Sequence, residues 1–480
     1  MKRVPSRSRL AALGLLAVLA LMSAAGPALA NVTVTEVSSD PFTNSTSQHA
    51  TEVEPDSFTS GNTIVAAVQQ GRFFDGGASD LGFATSTNGG ATWTSGSLPG
   101  LTTFDGGSYN AVSDPAVAFD PKHGVWLISG LAITTTSGVV GAALTVNRSA
   151  DGGLTWGNAI NAVVASGSAS LDKDWITCDA TAASPNYGNC YAEYDNNGGG
   201  NRIYMATSTD GGMTWHTVQT SSTGLGGQPV VQPGGTVIVP YMTNNGQIRS
   251  FRSVNGGSSW SSPVTVATVQ SHTDAGGIRT SPLPSAQIDA GGKVYVVWQD
   301  CRFQSGCTGN DIVMSTSANG TSWSTVTRIT SDGGDHFIPG IGVDAATSGS
   351  SAKIAVAYYR YPTSNCTAST CQLTIGYTSS TNGGSTWSTP TQLAGPMSLS
   401  WLASTNQGVM VGDYIATSVV SGVAFPAMVI AAAPSGSTFN EALYEATGGL
   451  QITGGALRAA ATPLVTSGHQ PKVTVPPRAP

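Results

Sequence analysis

Charge is scarce in this chain of 480 residues: only 10% are Asp, Glu, Lys or Arg. The balance is acidic, at −7, and the basic residues are scattered. That excludes nucleic acid and an anionic membrane surface as partners, since both need clustered Lys and Arg. Long apolar runs are also missing. After residue 30 no stretch holds the roughly 18 uninterrupted apolar residues of a membrane span. Cysteine pairs of zinc-site spacing, a phosphate-cradling glycine loop and a nucleophile elbow are absent. His272 and His336 have no neighbouring ligand set, and no complete calcium loop is present, so neither a metal nor a cofactor is expected. What fills the chain is Gly (60 residues) with abundant Ser and Thr, a composition suited to an all-β protein with many tight turns.

The two ends read differently from the middle. Lys2, Arg3, Arg7 and Arg9 precede an apolar segment over residues 10–25 and a small-residue Ala28-Leu29-Ala30 site. Residues 1–30 are therefore expected to be a secretory signal peptide, with the mature chain starting near Asn31 at a net charge of −11. Residues 448–480 hold several Gly and Pro with little periodicity and are expected to be a disordered tail. Six cysteines fall into close pairs: Cys178 with Cys190, Cys301 with Cys307, and Cys366 with Cys371. Export and an even count favour disulfides, and local pairing is the simplest of the 15 connectivities that six cysteines allow.

The middle is organised around one stretch. Residues 208–215 read Ser-Thr-Asp-Gly-Gly-Met-Thr-Trp, and copies end at Trp93, Trp156, Trp260, Trp323 and Trp387. The Asp or Asn at the third position can accept hydrogen bonds from the N–H groups just ahead of it. The glycines permit a tight reversal, and the Trp buries a large ring. Each copy reads as a turn between antiparallel strands, with an Asp that caps its own turn. A second repeat lies upstream, as in Asp114-Pro115-Ala116-Val117 and Pro339-Gly340-Ile341-Gly342, with starts spaced by 55–73 residues. Seven such starts accompany six turns.

The motif resembles the Asp-box, or BNR repeat, of the sialidase superfamily. That resemblance implies a β-propeller in residues 31–447, with the motif turns on the face away from the active site. Seven blades are expected, near 50–104, 113–166, 172–222, 226–269, 282–330, 336–394 and 410–447, with residues 31–37 as the missing outer strand of the last. Six blades, as in sialidases, is the alternative.

In such propellers the ligand face carries the loops between second and third strands and the crossovers between blades. Arg72, Arg279, Arg302 and Arg360 fall there, and guanidinium is the side chain best suited to gripping a carboxylate. Trp298 and Tyr241 beside them suit stacking on sugar rings. Sialidases use three arginines, a Tyr–Glu nucleophile pair and an Asp acid/base. By resemblance Arg302 and Arg360 would be two of the arginines, Tyr358, Tyr359 or Tyr414 the nucleophile, and Asp114 or Asp300 the acid. One departure weighs against catalysis. The family places an arginine early, in an Arg-Ile-Pro motif, whereas here no arginine lies between Asn31 and Arg72 and the strand reads Glu54-Pro55-Asp56. The expected partner is an extracellular glycan or glycoprotein, and the expected state is a monomer. The readings left open are a sialidase, another glycan hydrolase or lyase, a glycan-binding propeller and a protein-interaction propeller.

Overall fold

A computed structural model describes residues 32–136 and 138–458, with Met1 and Pro463 besides. The expected signal peptide and the end of the expected tail lie outside the described residues. Within them the protein is all-β, with no α-helix and five short 3-10 turns.

The strands follow one another as antiparallel meanders of four. The first strands of the first six meanders are Glu52–Ser60, Ala111–Asp120, Leu171–Cys178, Val230–Val231, Ser285–Ile288 and Asp335–Val343. A single Ala78–Val112 pair joins the first two groups into one sheet. A seventh group holds Ala416–Val420, Val423–Ala431 and Glu441–Ala446. Its outer strand comes from the other end of the chain: Val34–Glu36 pairs antiparallel with Glu441–Ala446. Among the described residues no hydrogen-bonded sheet closes on itself. The first strands nevertheless pack side by side in order, and Ala416–Val420 returns to lie against Glu52–Ser60.

Burial follows from this stacking. In the second strand of the first group, Thr63–Arg72, Val65 and Ala67 pack with the second group, while Ala66 and Val68 pack with the seventh. In Val294–Asp300, Tyr295 and Val297 meet the sixth group, while Val294, Val296 and Trp298 meet the fourth. Alternate side chains point to opposite faces of a strand. A sheet covered on both faces therefore needs the unbroken apolar runs seen here.

The repeated motif forms a turn between the third and fourth strands of each of the first six groups, one residue shorter in residues 317–323. In residues 208–215 the Asp210 carboxylate accepts from the N–H of Met213 and Thr214 and from the Thr214 hydroxyl. Ser208 Oγ accepts from Gly212 N–H, and Trp215 donates to the Gly212 carbonyl. Asp151 makes the corresponding bonds in its copy. Gly212 has φ 83° and faces Leu127, which would stand 2.9 Å from an added Cβ, so turn and packing both require glycine there. The motif tryptophans are half-buried, save Trp387, which is fully buried.

All three disulfides are the local ones. They fit an oxidising compartment. Among the described residues no helix is long and apolar enough to cross a membrane. The boundary expected at 447 needs correction. Leu450–Gln451 pairs with Val423–Ala424, and Leu457–Arg458 pairs with Thr386–Trp387, so paired strand extends into the segment read as a tail.

Candidate functional site

The first strands of the first, second, third and sixth groups share an irregularity. Each has a register shift near its start: between Val53 and Asp56, Ser113 and Ala116, Asp172 and Asp174, and Phe337 and Gly340. Inside each shift sits one residue in the left-handed region: Glu54 (φ 57°), Asp114 (φ 52°), Lys173 (φ 42°) and Ile338 (φ 50°). Proline follows three of the four, and proline cannot donate to a ladder. Left-handed backbone is costly for a residue with a Cβ and persists where its surroundings hold it. Here the strained positions bring Glu54, Asp114 and Lys173 together.

Lys173 is the centre. Its ammonium lies 3.0 Å from Asp114, 3.6 Å from Glu54 and in close contact with Asp413. Arg279 grips the same Asp413 with two N–H groups, at 2.8 and 2.5 Å. All five side chains are largely buried. Burial opposes the charge on Lys173, but Asp114, Asp413 and Glu54 outweigh it and push the ammonium well above its usual pKa. Burial likewise opposes the Asp413 carboxylate, and Arg279 and Lys173 still hold it well below the usual range. For Glu54 burial wins, and its carboxyl rises to about 6 despite Lys173.

Asp114, Lys173 and Arg279 of this knot line a half-open pocket of about 400 Å³. Arg72, Asp114, Asp172, Lys173 and Arg279 line its polar side, and Leu131, Ile133 and Val139 an apolar wall. Arg72 differs from the other cations. Its Nη1 donates to the Gln69 side chain at 3.0 Å and to the Gly77 carbonyl at 3.1 Å, while its buried Nε has no partner. Among the described residues no carboxylate forms an ion pair with it. Burial, then the Arg279 charge, lowers it to about 10, so it stays protonated at neutral pH. Asp172 also keeps a buried oxygen without a partner, and burial raises its pKa.

The sequence candidates thus divide. Arg72, Arg279 and Asp114 meet at one pocket. Tyr414 lies beneath it, 5.7 Å from the Lys173 ammonium and edge-on to Trp175, but its buried hydroxyl donates to the Pro115 carbonyl and is pushed well above its usual pKa. A nucleophilic phenolate there is not supported. Arg302 and Arg360 do not line this pocket. Arg302 forms a two-point pair with Asp300, at 2.8 and 2.7 Å, and also holds the Thr268 carbonyl. Asp300 is in turn bonded by Trp298, so both are loop braces. Arg360 pairs with Asp332 at 3.2 Å. Trp298, Tyr241 and Tyr358 are buried core side chains, with no ring face for a sugar. Lys173 escaped sequence reasoning altogether. The signal was the repeat frame: it stands 59 residues after Asp114, at the matching strand start.

Neither a known family nor any curated protein matches this chain. Solved structures show a general likeness. A protein of unknown function from Dyadobacter fermentans is 16% identical, with a TM-score of 0.46 over 72% of this chain and 98% of its own. The leech intramolecular trans-sialidase is 12% identical, at 0.46 over 68% and 67%. The intramolecular trans-sialidase from Ruminococcus gnavus is 14% identical, at 0.46 over 68% and 94%. Likeness at this level assigns no role to any residue.

Proposed function

We propose that the seven strand groups are the blades of a secreted, sialidase-like β-propeller, and that its pocket binds an acidic extracellular glycan. The observation that carries this reading is Arg72, a buried guanidinium at the pocket wall with no carboxylate of its own. Removing a charge from water is costly without a partner. A ligand carboxylate would supply that partner in the geometry guanidinium favours. The apolar wall of Leu131, Ile133 and Val139 faces the less polar side of such a ligand.

A second reading, hydrolysis, draws on Asp114 and Asp172, two carboxyl groups on one pocket. Burial helps Asp172 hold a proton, as a general acid must. Binding is preferred because the Tyr414 hydroxyl is held by the Pro115 carbonyl and Asp114 is tied to Lys173.

The test uses the purified protein on an array pairing acidic glycans with their carboxyl-reduced forms, alongside a fluorogenic sialoside. Binding restricted to the acidic member, falling by at least about tenfold in Arg72→Gln, supports the proposal. Equal binding of both members overturns it. Sialoside release that disappears in Asp172→Asn moves the assignment to hydrolysis.

A further inference from the structure

One exposed phenylalanine sits on a loop that lines the pocket, and a second lies against that loop. Phe74 is 52% exposed and Phe104 39% exposed, in a chain with only 7% aromatic residues. Phe74 directly precedes Asp75, Gly76 and Gly77, all of which line the pocket. Its loop is held in place. Phe73 N–H donates to the Gly77 carbonyl at 2.8 Å, and Asn406 N–H donates to the Phe74 carbonyl at 3.1 Å. Asn406 itself lines the pocket. Phe73 meets Phe104 edge-on, with ring centroids 6.1 Å apart, which ties the second exposed ring to the same loop.

We infer that Phe74 and Phe104 form a stacking subsite for the sugar next to the charged one, so that the ligand is an acidic oligosaccharide chain and not a free monosaccharide. This rests on the pocket reading above. A pyranose has an apolar face of C–H groups and an equator of hydroxyls. The C–H face carries slight positive charge, and the face of an aromatic ring is negative. Exposed aromatic surface next to a polar pocket suits such recognition. The loop bonds fix the backbone that carries the ring before the ligand arrives, which limits the ordering cost of binding.

Calorimetric titration of the full protein with 3′-sialyllactose and free N-acetylneuraminic acid, then with trigalacturonate and galacturonate, tests this. The chain of the series that binds should be about fivefold tighter than its monosaccharide, as one added aromatic contact implies. Phe74→Ala should remove that gain and leave monosaccharide affinity unchanged, and Phe74→Trp should restore it. Equal affinity for chain and monosaccharide overturns the subsite alone, as does a Phe74→Ala protein that keeps the gain. Failure of all four ligands to bind overturns the pocket reading and the subsite together.

Discussion

Two sets of acidic side chains stand in contrast. Asp151 and Asp210 sit in exposed or half-exposed turns and bond groups three or four residues ahead. Glu54, Asp114 and Asp413 are buried, and reach one lysine across up to 240 residues of sequence. The Thr155 hydroxyl and N–H hold Asp151 down at about 2, whereas burial lifts Glu54 to about 6. The turn acids recur because every copy solves the same local problem, and Asn replaces Asp in four of six copies. Among the described residues the knot occurs once, and it needs opposite charges at particular places. Repetition therefore marks scaffold in this protein, and departure from the repeat marks the site.

The largest effect should come from Lys173→Met. It leaves three buried carboxyl groups without their common cation, which should cost about 3–5 kcal/mol in urea denaturation. A loss under about 1 kcal/mol would mean that water reaches the knot.

Next comes pH. Glu54 rises from 4.5 to about 6, Asp56 from 3.8 to about 7, and Asp80 from 3.8 to about 8, each mainly by burial. Their folded values exceed the unfolded ones. The folded state thus holds protons that the unfolded chain releases, and the stability this gives is complete below pH 4 and lost as pH rises to about 8. Asp151, whose value is lowered, acts in the opposite sense as pH falls from 3.8 towards 2. The melting temperature should peak in mild acid and fall from pH 5 to 8, and Asp56→Asn should flatten that slope. A melting temperature that rises over this interval would contradict the assignment.

Smallest is the turn. Asp210→Ala should cost about 1 kcal/mol, the scale of a lost side-chain cap. Asp210→Asn should change stability by under about 0.5 kcal/mol, because the amide oxygen accepts the same N–H bonds. Similar losses for Asn and Ala would show that the charge matters more than the acceptor.

Much of the fold was legible because its signals are local. The motif set the third-to-fourth-strand turns, the recurring strand starts upstream of it set the groups, and close spacing set the cysteine pairs. The site was less legible because its partners are distant. Arg302 and Arg360 looked like ligand grips, yet Asp300 and Asp332 nearby were enough to occupy them. Trp298 and Tyr358 looked accessible because they flank loops, but the strand period turns both into interfaces between sheets. Lys173 carried no motif, and its importance comes from three acids distant in sequence, Glu54 among them and the other two 59 and 240 residues away.

The strand Val34–Glu36 has a temporal consequence. The Thr35 hydroxyl meets that of Thr447, 412 residues later. A ribosome makes the first of these long before the second, so the early strand has no partner edge while most of the chain is being synthesised. Assembly of the last group is then a late event joining both termini, and contacts of such long sequence separation form slowly. Until then an unpaired strand and the open edge of Glu441–Ala446 are exposed to other chains. The step that completes the molecule is also its period of greatest risk, and crowding of nascent copies would turn a self-clasp into an exchange between neighbours.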